Sequence, residues 1–267
     1  MRENWFLLGD IHGESGPIEY FYNQNRDRLE LDACKNSIIL LGDVGCNFAI
    51  TGNRDANFKK NLSRFPFTYI LLRGNHEARV TDVVDKYPDK WTTKQKYNGT
   101  VYIETEFPSI EYLDDKPASY MFDGYRTLSI PGAYSIDKWV RLYNHWTWYE
   151  NEQLTKEEMD YGRMLIEKEK TFDLVISHTC PIAYEPRDLF HTIVAQSQID
   201  KTMEMYLGEI EATLNYRRWA WGHFHADRLY PSWDGEKEKL MLFNENVVDL
   251  NKFMTMKKSD SFEDILA

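Results

Sequence analysis

Short runs of apolar residues, each followed by a polar turn, recur along the chain. The runs WFLL, SIILL, TYILLR, DLVIS and RWAW precede, in that order, the turns GDIHG, GDVG, GNHE, HTCP and GHFH. Apolar runs of about four to six residues bounded by turn residues are typical of strands that are buried on both faces. The pattern therefore predicts five buried strands whose carboxyl ends carry polar side chains.

Segments with helical periodicity lie between these strands. The pattern predicts helices over 53–63 and 155–170, and the second begins with Thr155 and Glu158 in the spacing of a capping box. A third predicted helix begins near Asp200 and carries an apolar stripe of Met203, Tyr206, Leu207, Ile210 and Leu214. Strands that alternate with helices indicate an α/β fold, and residues 1–77 predict a β-α-β-α-β unit.

The rest of the chain has a weaker pattern. Residues 78–120 combine Lys, Asp and Tyr with three prolines and show no clean period, which predicts a cap or loop insertion. The segment TLSIPGAYS predicts a further strand and turn, and residues 239–243 predict a late strand. We expect residues 1–250 to form a single domain and residues 251–267 to form a loosely packed C-terminal tail.

The charge balance narrows the set of partners. Lys and Arg number 32 against 43 for Asp and Glu, which gives a net charge of −11 over 267 residues. This balance disfavours sequence-independent binding to nucleic acid or to an anionic membrane. The amino terminus has no basic segment followed by a long apolar one, and Cys34, Cys46 and Cys180 never form a CxxC pair. We therefore expect a cytoplasmic protein with buried, reduced thiols.

The polar turns also hold most of the histidines. Five of the seven histidines fall in them, and only His145 and His191 lie elsewhere. Asp10 and His12 are two residues apart at the end of a strand, so extended geometry would point both side chains the same way. The turn GHFH repeats this spacing with a pair of histidines. Carboxylate and imidazole ligands together suit Mn, Fe, Zn, Ni or Co, so the pattern predicts a metal site beyond the carboxyl ends of the strands.

Taken in order, the five turns resemble the signature of the calcineurin-like metallophosphoesterase superfamily, which includes the Ser/Thr protein phosphatases. The resemblance runs from Gly9 to His225, and the segments PGAYSIDKWVR and WYENEQLT are similar to small bacterial and phage members. It implies a four-layer α/β sandwich, in which two mixed sheets are flanked by helices. It also implies a metal site at the carboxyl ends of the strands.

The resemblance implies two divalent transition metal ions, with manganese favoured over iron, zinc, nickel and cobalt. The implied ligands of one ion are Asp10, His12 and His225, and those of the other are Asn75, His178 and His223. Asp43 is the implied ligand that bridges both ions. A hydroxide shared by the two ions would attack phosphorus in line with the leaving oxygen. His76 would protonate the leaving group, and the carboxylate that orients it stays open between Glu77, Asp43 and others.

The activity that the resemblance implies is phosphoester hydrolysis. A phosphomonoesterase is the leading hypothesis, a phosphodiesterase acting on cyclic or small nucleotides is the alternative, and a non-catalytic scaffold of the same fold is a remote third. The expected substrates are phosphorylated small molecules, nucleotides or phosphoproteins, with neither a membrane nor a nucleic acid as partner.

One part of the family pattern is missing. In the protein phosphatases the second turn continues into an arginine that binds phosphate, whereas here GDVG continues as Cys46-Asn47-Phe48. Arg73, directly before GNHE, is therefore the candidate phosphate contact, with a structural ion pair as the alternative interpretation. Weaker candidates are Arg79, Arg141 and Arg187.

Overall fold

The computed structural model describes residues 3–29, 32, 35–190, 196–232 and 235–267. Cys34 and His191, both considered above, lie outside these ranges. Within them, Cys46 and Cys180 are buried free thiols. Every helix in the described ranges falls short of the length and apolarity needed to cross a bilayer.

The chain begins with a β-α-β-α-β unit, as the pattern of residues 1–77 predicts. Its elements are, in order, β1 (Asn4–Leu8), α1 (Gly16–Asn25), β2 (Asn36–Leu40), α2 (Arg54–Leu62) and β3 (Thr68–Leu71). The three strands pair in parallel in the order β1-β2-β3. Every residue of β2 and β3 is buried, because helices cover one face of this sheet and a second sheet covers the other.

Residues 78–120 differ from the cap or loop that the sequence analysis expects. They form α3 (Val80–Lys86), β4 (Trp91–Lys96), β5 (Gly99–Glu104), β6 (Ile110–Tyr112) and the start of β7 (Ala118–Phe122). Strand β6 pairs in parallel with β3, and β5 and β4 extend the same sheet as antiparallel strands. The pattern is hard to read because β4 is an edge strand, and its five residues after Trp91 are polar and exposed.

A second sheet forms from the following part of the chain. Its further strands are β8 (Tyr125–Ile130), β9 (Thr171–Ser177), β10 (Asn215–Trp221), β11 (Arg228–Tyr230) and β12 (Lys239–Met241). The strand order is β11-β12-β10-β9-β8-β7, with the four central strands parallel and the two edges antiparallel. The connecting helices are α4 (Lys138–Tyr143), α5 (Lys156–Glu169) and α6 (Thr202–Thr213).

The three helices predicted from periodicity are confirmed. Helix α2 lies within 53–63, and α5 begins with the predicted capping box, in which Thr155 and Glu158 bond each other's backbone amides. Helix α6 buries four residues of its predicted apolar stripe, which are Met203, Tyr206, Leu207 and Ile210.

Alternating side chains of the strands build three hydrophobic layers. In β1, Trp5 and Leu7 pack between the two sheets, whereas Phe6 and Leu8 pack on the opposite face against α1 and α2. The outer face of the second sheet packs against α5 and α6 in the same way. Helices, sheet, sheet and helices therefore form the four-layer sandwich with two mixed sheets that the family resemblance implies.

The C-terminal residues 251–267 also differ from the loosely packed tail that we expect from their polarity. Strand β13 (Val248–Asp249) pairs antiparallel with β1, and α7 (Leu250–Thr255) follows it directly. Phe253 and Ile265 are buried in the core between the sheets. A few well-spaced apolar side chains anchor this segment, although its overall composition is polar.

Candidate metal centre

The predicted ligands lie in turns at the carboxyl ends of strands from both sheets. Asp10, Asp43 and Asn75 follow β1, β2 and β3 of the first sheet. His178 directly follows β9 of the second sheet, and the GHFH turn follows β10. Because these strands are parallel within each sheet, their carboxyl ends meet along one rim of the sandwich.

Three glycines make room for these side chains. A Cβ at Gly42 would lie 2.1 Å from Nδ1 of His178, and a Cβ at Gly222 would lie 2.2 Å from Oδ1 of Asp10. A Cβ at Gly74 would lie 2.0 Å from Oδ1 of Asp43. Each turn therefore opens space for a side chain that another turn contributes, which explains the repeated glycine before the polar residue.

The turns depart from extended geometry at the site. His12, Asp43, His223 and His225 have φ angles of 46°, 47°, 71° and 52°, in the left-handed region that residues with a side chain rarely adopt. The amide of His12 donates to the carbonyl of Asp43 over 2.8 Å, and the amide of His223 donates to Oδ2 of Asp10 over 2.7 Å. Hydrogen bonds between the turns hold this strained backbone, and the side chains converge for that reason. The alternation of side chains along an extended strand does not explain their convergence.

Asp10, His12 and His225 form one cluster, with a possible ligand atom from each lying within 4.8 Å of the others. The two histidine Nε2 atoms are 2.8 Å apart. Oδ1 of Asp10 is buried and has no hydrogen-bond partner among the described residues. Burial lowers the pKa of His12 to about 4, which keeps the imidazole neutral and able to bind a cation. A buried carboxylate oxygen without a hydrogen-bond partner, beside two neutral imidazoles, fits a divalent cation.

Asn75, His178 and Asp43 form the adjoining cluster. Nδ1 of His178 donates to the carbonyl of Leu41 over 2.7 Å, which leaves Nε2 facing Oδ1 of Asn75 at 2.9 Å and Oδ2 of Asp43 at 3.5 Å. A backbone partner of this kind fixes the tautomer of a metal-binding histidine. The ring of His223 packs against that of His178, with the centroids 5.0 Å apart.

The charges of this second cluster act on one another. Burial disfavours the charged forms of both His178 and Asp43, but the attraction between the two groups outweighs burial. The pKa of His178 therefore rises to about 9. By the same attraction, with a further contribution from His76, the pKa of Asp43 falls well below its ordinary value despite its burial. Asp43 is therefore an anion that faces imidazoles on two sides.

A hydrogen-bonded chain behind Asn75 fixes its amide. Nδ2 of Asn75 donates to Oγ of Ser135 over 2.8 Å, and that hydroxyl donates to Oε2 of Glu152 over 2.5 Å. Glu152 also accepts from Nε1 of Trp148 over 2.9 Å. The chain directs Oδ1 of Asn75 toward the cluster. Sequence reasoning did not find Ser135 or Glu152, although both lie in the segments PGAYS and WYENEQLT that resemble family members.

His76 lies at the opening of the site. Its Nε2 is 3.7 Å from Oδ2 of Asp43 and 3.3 Å from Nη2 of Arg141. Glu77 instead accepts hydrogen bonds from the amides of Gly45 and Gly74 and so holds two turns together. The carboxylate close to His76 is therefore that of Asp43. Burial, helped by the charge of Asp43, raises the pKa of Glu77 to about 7.

Arg73 lies apart from these clusters. It is buried, its Nε is 3.0 Å from Oδ1 of Asp115, and its Nη1 donates to the carbonyls of Gly74 and Glu152. These contacts are those of the structural ion pair that was the alternative interpretation. Among the arginines considered from sequence, Arg141 is the one whose guanidinium reaches the site, beside His76.

Two cavities meet at the centre, and both are lined by Asp43 and His76. The first has a volume of about 460 Å³ and extends past Arg141 to one face of α2. The second has a volume of about 520 Å³ and extends over largely apolar side chains that include Phe190 and Phe224. A substrate bound at the centre therefore has room on two sides.

Comparison with known proteins gives three findings. A family model described as calcineurin-like phosphoesterase matches residues 6–227. No curated protein sequence matches the chain significantly. Among solved structures, TT1561 of Thermus thermophilus has a TM-score of 0.52 and 13% identity, over 94% of this chain and 96% of its own, which shows a shared fold.

Two further solved structures resemble the chain more distantly. A phosphopantetheinyl hydrolase from Mycobacterium tuberculosis has a TM-score of 0.45 and 12% identity, over 91% of this chain and 90% of its own. A dimetal phosphatase from Danio rerio has a TM-score of 0.44 and 10% identity, over 93% of this chain and 92% of its own.

Proposed function

This chain belongs to the calcineurin-like phosphoesterase family and is a metal-dependent hydrolase, and from its site we propose that it hydrolyses phosphomonoesters with two bound metal ions. The observation that carries the proposal is the convergence of side chains from both sheets around Asp43. Buried carboxylates and imidazoles are costly to gather in one place unless a cation compensates them.

We assign the ligands as the family resemblance implies. One ion would be held by Asp10, His12 and His225, the other by Asn75, His178 and His223, and Asp43 would be shared. The orphaned Oδ1 of Asp10 supports the first set. The orientation of His178 by the Leu41 carbonyl supports the second. These nitrogen and oxygen donors without thiolate suit manganese, which we propose as the first metal to test.

The bound ions would neutralise charge on the phosphoryl group and supply a nucleophilic water at neutral pH. The protein's own groups complete the reaction. Arg141, whose Nη2 is 3.3 Å from His76, would bind a phosphoryl oxygen in place of Arg73. His76 would pass a proton to the leaving oxygen. Burial and Arg141 lower the pKa of its imidazole on balance, and Asp43, 3.7 Å from Nε2, opposes them by favouring the protonated form.

A phosphodiester is the second candidate substrate. Both cavities open onto Asp43 and His76, so a second ester substituent has space. The fixed positive charge of Arg141 favours the monoester, because a monoester dianion carries one more negative charge to neutralise than a diester does. A scaffold without activity is disfavoured, because each ligand position of the family pattern, and the position of His76, carries the residue that the pattern requires.

The test is hydrolysis of p-nitrophenyl phosphate and bis-p-nitrophenyl phosphate by chelator-treated protein resupplied with Mn²⁺. We expect metal-dependent turnover with preference for the monoester, and its loss in Asp43→Asn. Preference for the diester would select the second candidate. Two bound metals without turnover of either compound would contradict both and favour the scaffold.

A further inference from the structure

The first cavity has a wall that the proposed reaction leaves unused. Arg54, Asn57, Phe58 and Asn61 line this wall. Their spacing of three, four and seven residues from Arg54 places them on one face of α2. Phe58 is buried in the core, so the polar groups that the wall presents are one guanidinium and two carboxamides.

These polar groups have no partners of their own within the described ranges. The guanidinium of Arg54 makes neither a hydrogen bond nor an ion pair there, and it lies over the ring of Phe48 at 4.4 Å from the centroid. The side chains of Asn57 and Asn61 make no hydrogen bond to a described residue either. Arg141, by contrast, is fixed by Asp137 over 2.8 Å. The wall therefore offers free donors toward the cavity.

The two cavities differ in the charged side chains that line them away from the metal centre. Asp43 lines both, and the first also carries Arg54, Arg141 and Glu77, whose carboxylate is engaged with backbone amides. The second is apolar with an acidic rim of Asp137, Asp200 and Glu204, set against one lysine. In a chain with a net charge of −11, the guanidinium of Arg54, which no described carboxylate neutralises, marks a local preference for anions. An anionic group on the substrate would therefore occupy the first cavity.

We propose that Arg54, Asn57 and Asn61 form a second anion subsite, which holds a phosphate or carboxylate group of the substrate away from the phosphorus under attack. The proposal rests on the proposed function and names its substrate class, a phosphoester that carries a second anionic group. Arg54 supplies charge-assisted hydrogen bonds, and the two carboxamides supply neutral donors. The cavity of about 460 Å³ has room for both anionic groups.

The subsite is tested by binding, independently of turnover. Two ligands of matched shape, 4-carboxybenzylphosphonate and 4-carbamoylbenzylphosphonate, are titrated calorimetrically into the manganese-loaded protein. We expect the carboxylate to bind about threefold to fivefold more tightly than the amide, with the advantage shrinking at high salt. Arg54→Gln should abolish the advantage and Arg54→Lys should keep part of it. The matched control is Arg64→Gln, at an exposed arginine just after α2 that does not line the cavity.

Three results would overturn the subsite: equal affinity of the two ligands in the unmodified protein, an undiminished advantage in Arg54→Gln, or an equal loss in Arg64→Gln. Hydrolysis of 4-carboxyphenyl phosphate and 4-carbamoylphenyl phosphate gives the second measurement, and the same preference should appear in kcat/KM. A preference in binding without hydrolysis of either ester would contradict the proposed function and leave the subsite standing. Hydrolysis of both esters without a preference for the carboxylate would support the proposed function and contradict the subsite.

Discussion

At the scale of single residues, His76 lies between a carboxylate and a guanidinium. Its Nε2 is 3.7 Å from Asp43 and 3.3 Å from Arg141. The pKa of His76 is lowered on balance, because burial and Arg141 lower it by more than Asp43 raises it. Contacts on both sides fix the imidazole before substrate arrives, which is what a proton donor to the leaving group requires.

Replacing His76 by alanine should leave the metal content unchanged and lower kcat by about 10²–10⁴. The loss should be largest for esters with poor leaving groups, because those most need a proton. Turnover of a series of aryl and alkyl phosphates, with metal content measured in parallel, checks this. His145→Ala is the control, since His145 is exposed and lines neither cavity. An equal loss across the series would contradict the role of His76 as acid.

Ser135 acts on the site through Asn75. Ser135→Ala removes the acceptor that holds Nδ2 of Asn75, so the amide loses its fixed orientation. We expect affinity for one of two Mn²⁺ ions to fall by about 10–100-fold, as measured by calorimetric titration. Ser63→Ala is the control, because that hydroxyl bonds the carbonyl of Lys59 at the end of α2. Unchanged affinity at both sites would show that Asn75 needs no such support.

At the scale of elements, sequence predicted what strong local patterns encode. The apolar runs identified β1, β2, β3, β9 and β10, and so also the turns that carry Asp10, Asp43 and the histidines. Edge strand β4 and the C-terminal segment were misjudged, because most of β4 is polar and packing of α7 depends on a few buried side chains. Their structure is set by neighbouring strands rather than by local composition.

The contacts within the site were harder to predict than its location. Ser135 lies 60 residues from Asn75, and Arg141 lies 65 residues from His76. Only the tertiary fold brings such pairs together, so no spacing in the sequence could reveal them. The same holds for Arg73, whose place before GNHE suggested a phosphate contact, whereas its guanidinium is engaged by Asp115. The ligand roles themselves stay a prediction.

Helices α3 and α5 are joined by an ion pair that makes stability depend on pH. The guanidinium of Arg79 forms a bidentate pair with Glu158, the capping-box residue of α5. Burial opposes ionisation of Glu158, but the hydrogen bonds from Arg79 outweigh it and lower its pKa. A lowered pKa in the folded state stabilises the protein above the unfolded pKa of about 4.3, and this stabilisation is lost as pH falls through the folded pKa.

Glu158→Gln should therefore cost about 1–2 kcal/mol of unfolding free energy at pH 7, a figure reduced for partial exposure of the pair. The difference from the unmodified protein should shrink as the pH is lowered from 5 toward 3. Urea unfolding across this range measures it. Glu157→Gln, at the neighbouring residue in the first turn of α5, serves as control. A difference that stays constant with pH would assign the loss to the cap rather than to the charge.

At the scale of the whole molecule, the candidate metal centre lies across the junction of the two sheets. Of the proposed ligands, Asp10, Asp43 and Asn75 come from the first sheet, and the histidines other than His12 come from the second. Between the sheets themselves lies an extensive hydrophobic core. Bound cations would therefore add a polar connection at the rim to the hydrophobic contact beneath it.

Metal binding should consequently raise the melting temperature. A free Mn²⁺ concentration of about 100 times Kd stabilises the folded state by about 2.7 kcal/mol for one site, which is about 5–10 °C for a chain of this size. Asp43→Asn should lose most of this shift, whereas Asp27→Asn, at an exposed position on the first helix's C-terminal side, should keep it. Melting curves with Mn²⁺ and with chelator measure the shift. Equal shifts in both variants would exclude Asp43 as a ligand.

The division of the ligands between the sheets follows chain order. The proposed ligands Asp10, His12, Asp43 and Asn75 all precede the link between β6 and β7, and the three remaining histidines of the proposed set all follow it. Lys116 in that link is exposed. A break in the chain there would yield two fragments, neither of which carries a complete set of the proposed ligands for either ion. Metal-dependent turnover would then report the reunion of the halves, so the fold is suited to use as a split reporter.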